Sequence, residues 1–134
     1  MTLIVSNAAQ IITLERFLTG NLTLKLYSNN RVPAKTDTAA SYTAVAGGGY
    51  ANKTLAYASW TIAAGASNFP AVATYAAQDF TFTGVTTAPG TIYGYYIVDS
   101  DGVLRWAERF LEDVVPFEPV NGSLIRINPR MQVN

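Results

Sequence analysis

The side chains that most often carry chemistry are scarce in this chain. It has no His and no Cys. That removes the imidazole acid–base and the thiolate nucleophile, so Ser-His-Asp and Cys-His machinery is excluded. Zinc sites built on nitrogen and sulfur are excluded for the same reason. Carboxylates remain. Asp99 and Asp101 share one turn, and Glu108, Glu112 and Asp113 are near one another in sequence. Two carboxylates suffice for a glycosidase. Asp99-Ser100-Asp101 could open a calcium loop, but no Glu follows at the place the twelve-residue pattern requires. The Asp pair reads instead as stabilising its own turn through Asx-type hydrogen bonds. Gly47-Gly48-Gly49 precedes Tyr50 and not Lys-Ser/Thr, so it reads as a flexible loop and not a phosphate cradle. The expectation is a protein that is not an enzyme, with no catalytic residue, cofactor or metal.

Charge points the same way. Nine Lys plus Arg balance nine Asp plus Glu, for a net charge of zero. Nucleic-acid binders carry a basic excess, so no nucleic-acid partner is expected. Charged residues are 13% of the chain, against about 25% in an average soluble domain. One reading is an Ala- and Thr-rich surface that stays soluble unaided. The favoured one is a surface buried in an assembly, because interface cores are depleted of charge. No run approaches the roughly 18 apolar residues of a membrane span. The N-terminus lacks a basic region, and its apolar run is too short for a signal peptide. The expectation is a protein made in the cytosol, with no membrane partner.

The elements that would position these residues are mostly strands. Residues 7–19 read as one helix, with Asn7 and Gln10 at capping-box spacing and Ile11, Leu14 and Leu18 on one stripe. It either covers the core or docks on a neighbour. After Gly20 the period changes to two. Leu22, Leu24 and Leu26 alternate with Thr23, Lys25 and Tyr27. Further strands are expected at 41–45, 53–62, 72–83, 91–99, 103–110 and 123–133, the last broken by Pro129. Asn121-Gly122 is a two-residue hairpin signal. The 134 residues therefore predict one all-β domain, 1–134, with 1–20 as N-terminal arm and helix. The architecture expected is a β-sandwich or jelly roll of about seven or eight short antiparallel strands.

The turn at Asp99-Ser100-Asp101-Gly102 is the most informative. A three-residue loop with Gly102 left-handed sets Asp99 opposite Val103, Val98 opposite Leu104 and Tyr96 opposite Trp106. Ile92, Tyr96, Val98, Leu104, Trp106 and Phe110 then share one face. Tyr93, Tyr95 and Ile97 share the other with Arg105 and Arg109. Tyr and Arg are enriched at interface hot spots. The same face also suits cross-strand packing with cation–π contacts, or sugar binding on aromatic platforms.

Several segments carry a family resemblance. They are Asn21-Leu22-Thr23-Leu24-Lys25-Leu26-Tyr27, Val32-Pro33-Ala34, Tyr50-Ala51-Asn52-Lys53-Thr54-Leu55 and Trp60-Thr61-Ile62. Gln78-Asp79-Phe80-Thr81-Phe82, Ile92-Tyr93-Gly94-Tyr95-Tyr96 and Leu104-Arg105-Trp106-Ala107-Glu108-Arg109-Phe110 follow. Their order resembles small virion proteins of tailed phages and prophages. The resemblance implies a virion component made in the host cytoplasm. Within that class a capsid decoration (cement) protein is favoured. It implies a homo-oligomer, with a trimer favoured, that binds the major capsid protein where capsomers meet. A tail, adaptor or fibre-base component, bound to tail proteins, is the alternative. A glycan-binding module using Tyr93, Tyr95 or Trp60 is the alternative of another kind. The contact residues expected are Leu3, Ile4 and Ile11 at the N-terminus, Tyr93, Tyr95, Arg105 and Arg109 on the hairpin, and Phe117 in the Pro-rich segment.

Overall fold

The computed structural model describes residues 4–67 and 69–133. Among these the chain is mostly β, with nine strands in antiparallel sheets and one short α-helix. Helix α1 is Asn7–Phe17. Its cap is Ser6, one residue earlier than the sequence pattern indicates, and the Ser6 hydroxyl accepts from the Ala9 N–H at 3.2 Å. Gln10 does not close a capping box on Asn7. Its Oε1 accepts from the Ala71 N–H at 2.8 Å and so fixes the helix to a strand. Leu14 and Leu18 are buried and Ile11 is half-buried, so the stripe covers the core.

Strands β1 (Leu22–Tyr27), β2 (Lys53–Leu55), β6 (Gly94–Val98) and β7 (Leu104–Arg109) form a sheet in the order β2-β1-β6-β7. Strand β6 is buried at every position. A strand buried on both faces needs two covers. One is the main core, where Leu22, Leu24, Leu26, Tyr95 and Ile97 meet Leu14 and Leu18 of α1. The other is built by the chain from Ser28 to Val45, which folds back over the opposite face. Its Tyr42 stacks on Tyr96 at 5.2 Å and meets the edge of Tyr27 at 4.9 Å. Asp37 anchors this loop. Its carboxylate accepts from the Arg31 guanidinium, from the Ala34 N–H at 3.0 Å and from the Tyr42 hydroxyl at 2.7 Å. The Arg31 and Tyr42 bonds hold that carboxyl well below the usual carboxylate range. The expected strand at 41–45 is therefore only an isolated bridge, Tyr27 to Ala44.

The three longest expected strands each divide. Residues 53–62 become β2, a 3₁₀ turn at Tyr57–Ser59, and β3 (Thr61–Ala63). Residues 72–83 become β4 (Ala71–Thr74) and β5 (Gln78–Thr81). Residues 123–133 become β8 (Leu124–Ile127) and β9 (Arg130–Val133). The last two divisions have one cause. Strand β4 pairs with β9 and β5 with β8, and at the junction Tyr75, Ala76 and Ala77 face only Asn128 and Pro129. The extra residue is a bulge in one ribbon. Pro129 has no N–H to give to a ladder, while its carbonyl accepts from the Tyr75 N–H at 3.1 Å. Ala71, Ala73, Phe80, Ile125 and Ile127 of this ribbon complete the main core.

Two glycine turns differ from expectation. Asn121-Gly122 is not a hairpin between paired strands. Gly122 has φ +89° while Asn121 is not left-handed, so the two-residue turn that needs both is not formed. Gly47-Gly48-Gly49 is not a free loop. The Gly48 carbonyl accepts from the Thr83 N–H at 2.9 Å, and the Ala46 carbonyl from the Thr87 N–H at 2.8 Å. A Cβ on Gly48 would lie 2.7 Å from the Gly84 carbonyl oxygen.

Gly94 is the tightest point of the β1-β6-β7 sheet. A Cβ there would stand 2.2 Å from the Glu108 carbonyl oxygen and 2.7 Å from the Tyr27 ring. Gly94→Ala should cost about 1–3 kcal/mol or more, the usual range for overpacking. Gly84→Ala, with nothing within 4 Å of the added Cβ, is the control in urea unfolding. Equal midpoints for the two variants would contradict this packing.

High pH should also loosen the fold. Burial pushes the Tyr27 and Tyr50 hydroxyls up to about 12, whereas unfolded tyrosines titrate near 10. The folded state thus holds more protons in that window, and stability must fall as pH rises through it. Below it the contribution is complete. Phenolate absorbance from Tyr27 and Tyr50 that appears only with unfolding is the expected result. Titration of Tyr27 and Tyr50 near the ordinary value in the folded protein would contradict it.

Candidate docking groove along the edge of β7

The β6–β7 turn forms as the residues predict. Gly102 has φ +80°, and its N–H donates to the Asp99 carbonyl at 3.0 Å. The Asp99 carboxylate accepts from the Asp101 and Val103 N–H groups, both at 2.9 Å, as an Asx turn. Those bonds to backbone, with Arg105 beside them, hold its carboxyl below the usual range. Val98 pairs with Leu104. The register then slips by one. Trp106 pairs with Ile97 and not with Tyr96, because Arg105 is an extra residue in β7. The slip turns Trp106 toward the main core, 5.7 Å from the Phe17 ring. Tyr96 and Val98 stay with Leu104 on the Tyr27–Tyr42 side.

The expected row of Tyr with Arg beside it is therefore divided. Tyr93 packs with the Tyr27 cluster, and the Arg109 guanidinium lies 5.1 Å above its ring. Tyr95 is buried in the main core. Arg105 donates to Asp99 at 3.1 Å and to the Phe17 carbonyl at 3.4 Å, which ties the helix end to the turn. Arg109 donates to Glu112 at 2.9 Å and to Asn30 at 2.9 Å, which ties β7 to the covering loop. The rings of Trp60 and Tyr95 are buried, so neither is open as a platform for a sugar. Phe117 is half-buried against the core, and its segment pairs with Ile92 through two hydrogen bonds of 2.8 and 2.9 Å. Ile11 packs on the core from α1. Ile4 is 86% exposed. Leu3 lies outside the described residues.

What the structure does bring together is a groove. Among the described residues, strand β7 has a strand partner on one side only, β6. Along its other side runs a depression of about 470 Å³, with β8 as the opposite wall. It continues into a second of about 500 Å³, walled by β9, and the two share Tyr95, Glu108 and Asn128. The first has an apolar floor of Tyr95, Phe117, Ile125 and Ile127. Leu111 (74% exposed), Leu124 (50%) and Val114 (44%) stand on its rim. The charged groups around it already have partners. Glu108 accepts from the Tyr95 hydroxyl at 2.7 Å, and burial with that bond pushes the hydroxyl well above the usual phenol range. Arg126 makes two bonds to Asp79 across the β5–β8 pair, at 2.7 and 2.9 Å. Arg109 is held by Glu112. The groove thus offers apolar contact and a strand edge, with the charges of its first part held within the chain and Arg130 on the wall of the second.

Leu111, Val114 and Leu124 were not among the expected contact residues. Their signal was weak but present. Leu111 and Val114 sit among Glu112 and Asp113 just past a strand, where an apolar side chain has no core to enter. Among the described residues, no three His, Cys, Asp or Glu side chains lie together. No helix among them is long and apolar enough to cross a membrane. Compared with known protein families, with characterised proteins and with solved structures, the chain matches none.

Leu111→Asp with Leu124→Asp should leave folding stability within about 0.5 kcal/mol per site, as for other surface changes. A much larger fall in the urea midpoint would show that these side chains belong to the core and not to a docking rim.

Proposed function

We propose that this chain is a non-catalytic structural protein of a tailed-phage particle, most specifically a capsid decoration protein bound to the outer shell. The β1-β6-β7 sheet and the β4/β5–β8/β9 ribbon would be the two layers of a β-sandwich, with α1 covering the core. The observation that carries the reading is the groove beside β7. An unpaired strand edge with apolar rims is a liability in a monomer and a docking feature in an assembly. Arg109 and Arg126 beside it are paired within the chain, which favours apolar docking over ionic capture. The low charge of the whole chain, 13%, fits a surface largely covered by neighbours. The resemblance of the strand segments to phage virion proteins supplies the kind of assembly. A place on the tail asks the same of the surface.

The test is composition and position on the particle. Particles purified from cells that produce this protein should carry it in stoichiometric copies, and electron microscopy should place it on the shell. The L111D/L124D double variant should fold and remain in the unassembled fraction. Density on the tail would move the protein within the particle. Absence from particles, with unchanged behaviour of the double variant, would overturn the reading.

A further inference from the structure

We infer that the β7 groove receives the N-terminal segment of a second copy of this chain, the stretch ending at Ser6, as an added strand. The inference rests on the reading of the groove as a protein-docking site and names its occupant.

Three observations converge on that segment. First, Ile4 is 86% exposed and Val5 39%. In a 134-residue chain with a well-filled core, an apolar β-branched pair ahead of a capped helix has nothing of its own to pack on. Ser6 is extended, with φ −65° and ψ 156°, so the chain enters α1 through an extended residue. Second, the chemistry matches. The first part of the groove suits an apolar occupant, because Arg109, Arg126 and Glu108 there already have partners. From Thr2 to Leu14 the sequence has no charged side chain, and Leu3-Ile4-Val5 is strand-forming. Third, the dimensions match. Five residues in a strand span about 17 Å, and a six-residue edge such as β7 about 20 Å. The backbone of the incoming strand would supply the partners that the outer edge of β7 lacks, the mode of recognition by strand addition.

The exposure of Ile4 favours a segment from another copy. In its own chain Ile4 stands in solvent, while Gln10 holds the start of α1 on Ala71 at the end of β4 that pairs with Val133. Each copy then gives one strand and takes one. Such a head-to-tail contact closes into a ring when the rotation between copies allows it. That is the geometry of a cyclic homo-oligomer, and the cement role asks for one.

The absence of Cys in the chain makes the test direct. Two differently tagged populations are prepared, one carrying Ile4→Cys and the other Leu124→Cys or Leu111→Cys, then mixed and oxidised. Val85→Cys, 72% exposed and outside the groove lining, is the control. Expected is a disulfide between the two tags with Leu124→Cys or Leu111→Cys, several-fold above the control. Deletion of residues 2–5 should lower the oligomeric state seen by light scattering. Cross-linking at control level and an oligomer unaffected by the deletion would overturn the inference. If that deletion leaves particle binding intact while the L111D/L124D variant abolishes it, the groove docks a different partner and only the inference falls. If neither change matters, the functional reading falls too.

Discussion

The whole arrangement depends on β6. Gly94-Tyr95-Tyr96-Ile97-Val98 is buried at all five positions, so both faces of its sheet must be covered by other parts of the chain. On one face α1 and the β4/β5–β8/β9 ribbon supply a cover of Leu, Ile and Phe. On the other, the 28–45 loop supplies a smaller cover of tyrosines, held by the carboxylate of Asp37. Neither cover is independent of the other. Gly94 lets Tyr27 and the β7 backbone close on β6 at the same point, and Arg105 and Arg109 fasten β7 to the helix end and to the loop.

This constraint explains why the adhesive part of the surface lies where it does. Tyr27, Tyr42 and Trp106, with Arg31, Arg105 and Arg109, cover β6 or fasten its covers, so the hairpin that resembled a contact face is largely turned inward. Strand β7 is the last in its sheet. The ribbon's β8 and β9 come near it but do not pair with it, and the gap between them becomes the groove. A bulge at each wall shapes the gap. One is at Arg105 in β7, the other opposite Asn128 and Pro129.

Much of this was legible in the residues, and the failures share a cause. The alternation of Leu22, Leu24 and Leu26, the helix stripe through Leu14 and Leu18, and the Asp99–Gly102 turn all follow from local rules, and all appear as expected. The one-residue slip at Arg105 does not follow from local rules. It depends on the gain from burying Trp106 beside Phe17 and Trp60, a contact between segments far apart in sequence. It also decided which side chains the hairpin shows to solvent, so the error in register became an error in the contact face. The division of the 72–83 segment is of the same kind, since the bulge there answers to Pro129 in a distant strand. Leu111 just past β7 and Leu124 within β8 carry only a weak local sign of exposure, because an apolar residue in or beside a strand reads as core until the opposite wall is known.

The central claim is that the outer edge of β7 is open in the single chain and closed in the assembly. Hydrogen exchange of the amides in Leu104–Arg109 tests it most directly, measured on the dilute protein and again on the assembled form. The account predicts that alternate amides, those turned away from β6, exchange fast in the dilute chain and become protected on assembly, while those bonded to β6 are protected in both. Equal exchange of the outward amides in the two states would contradict it.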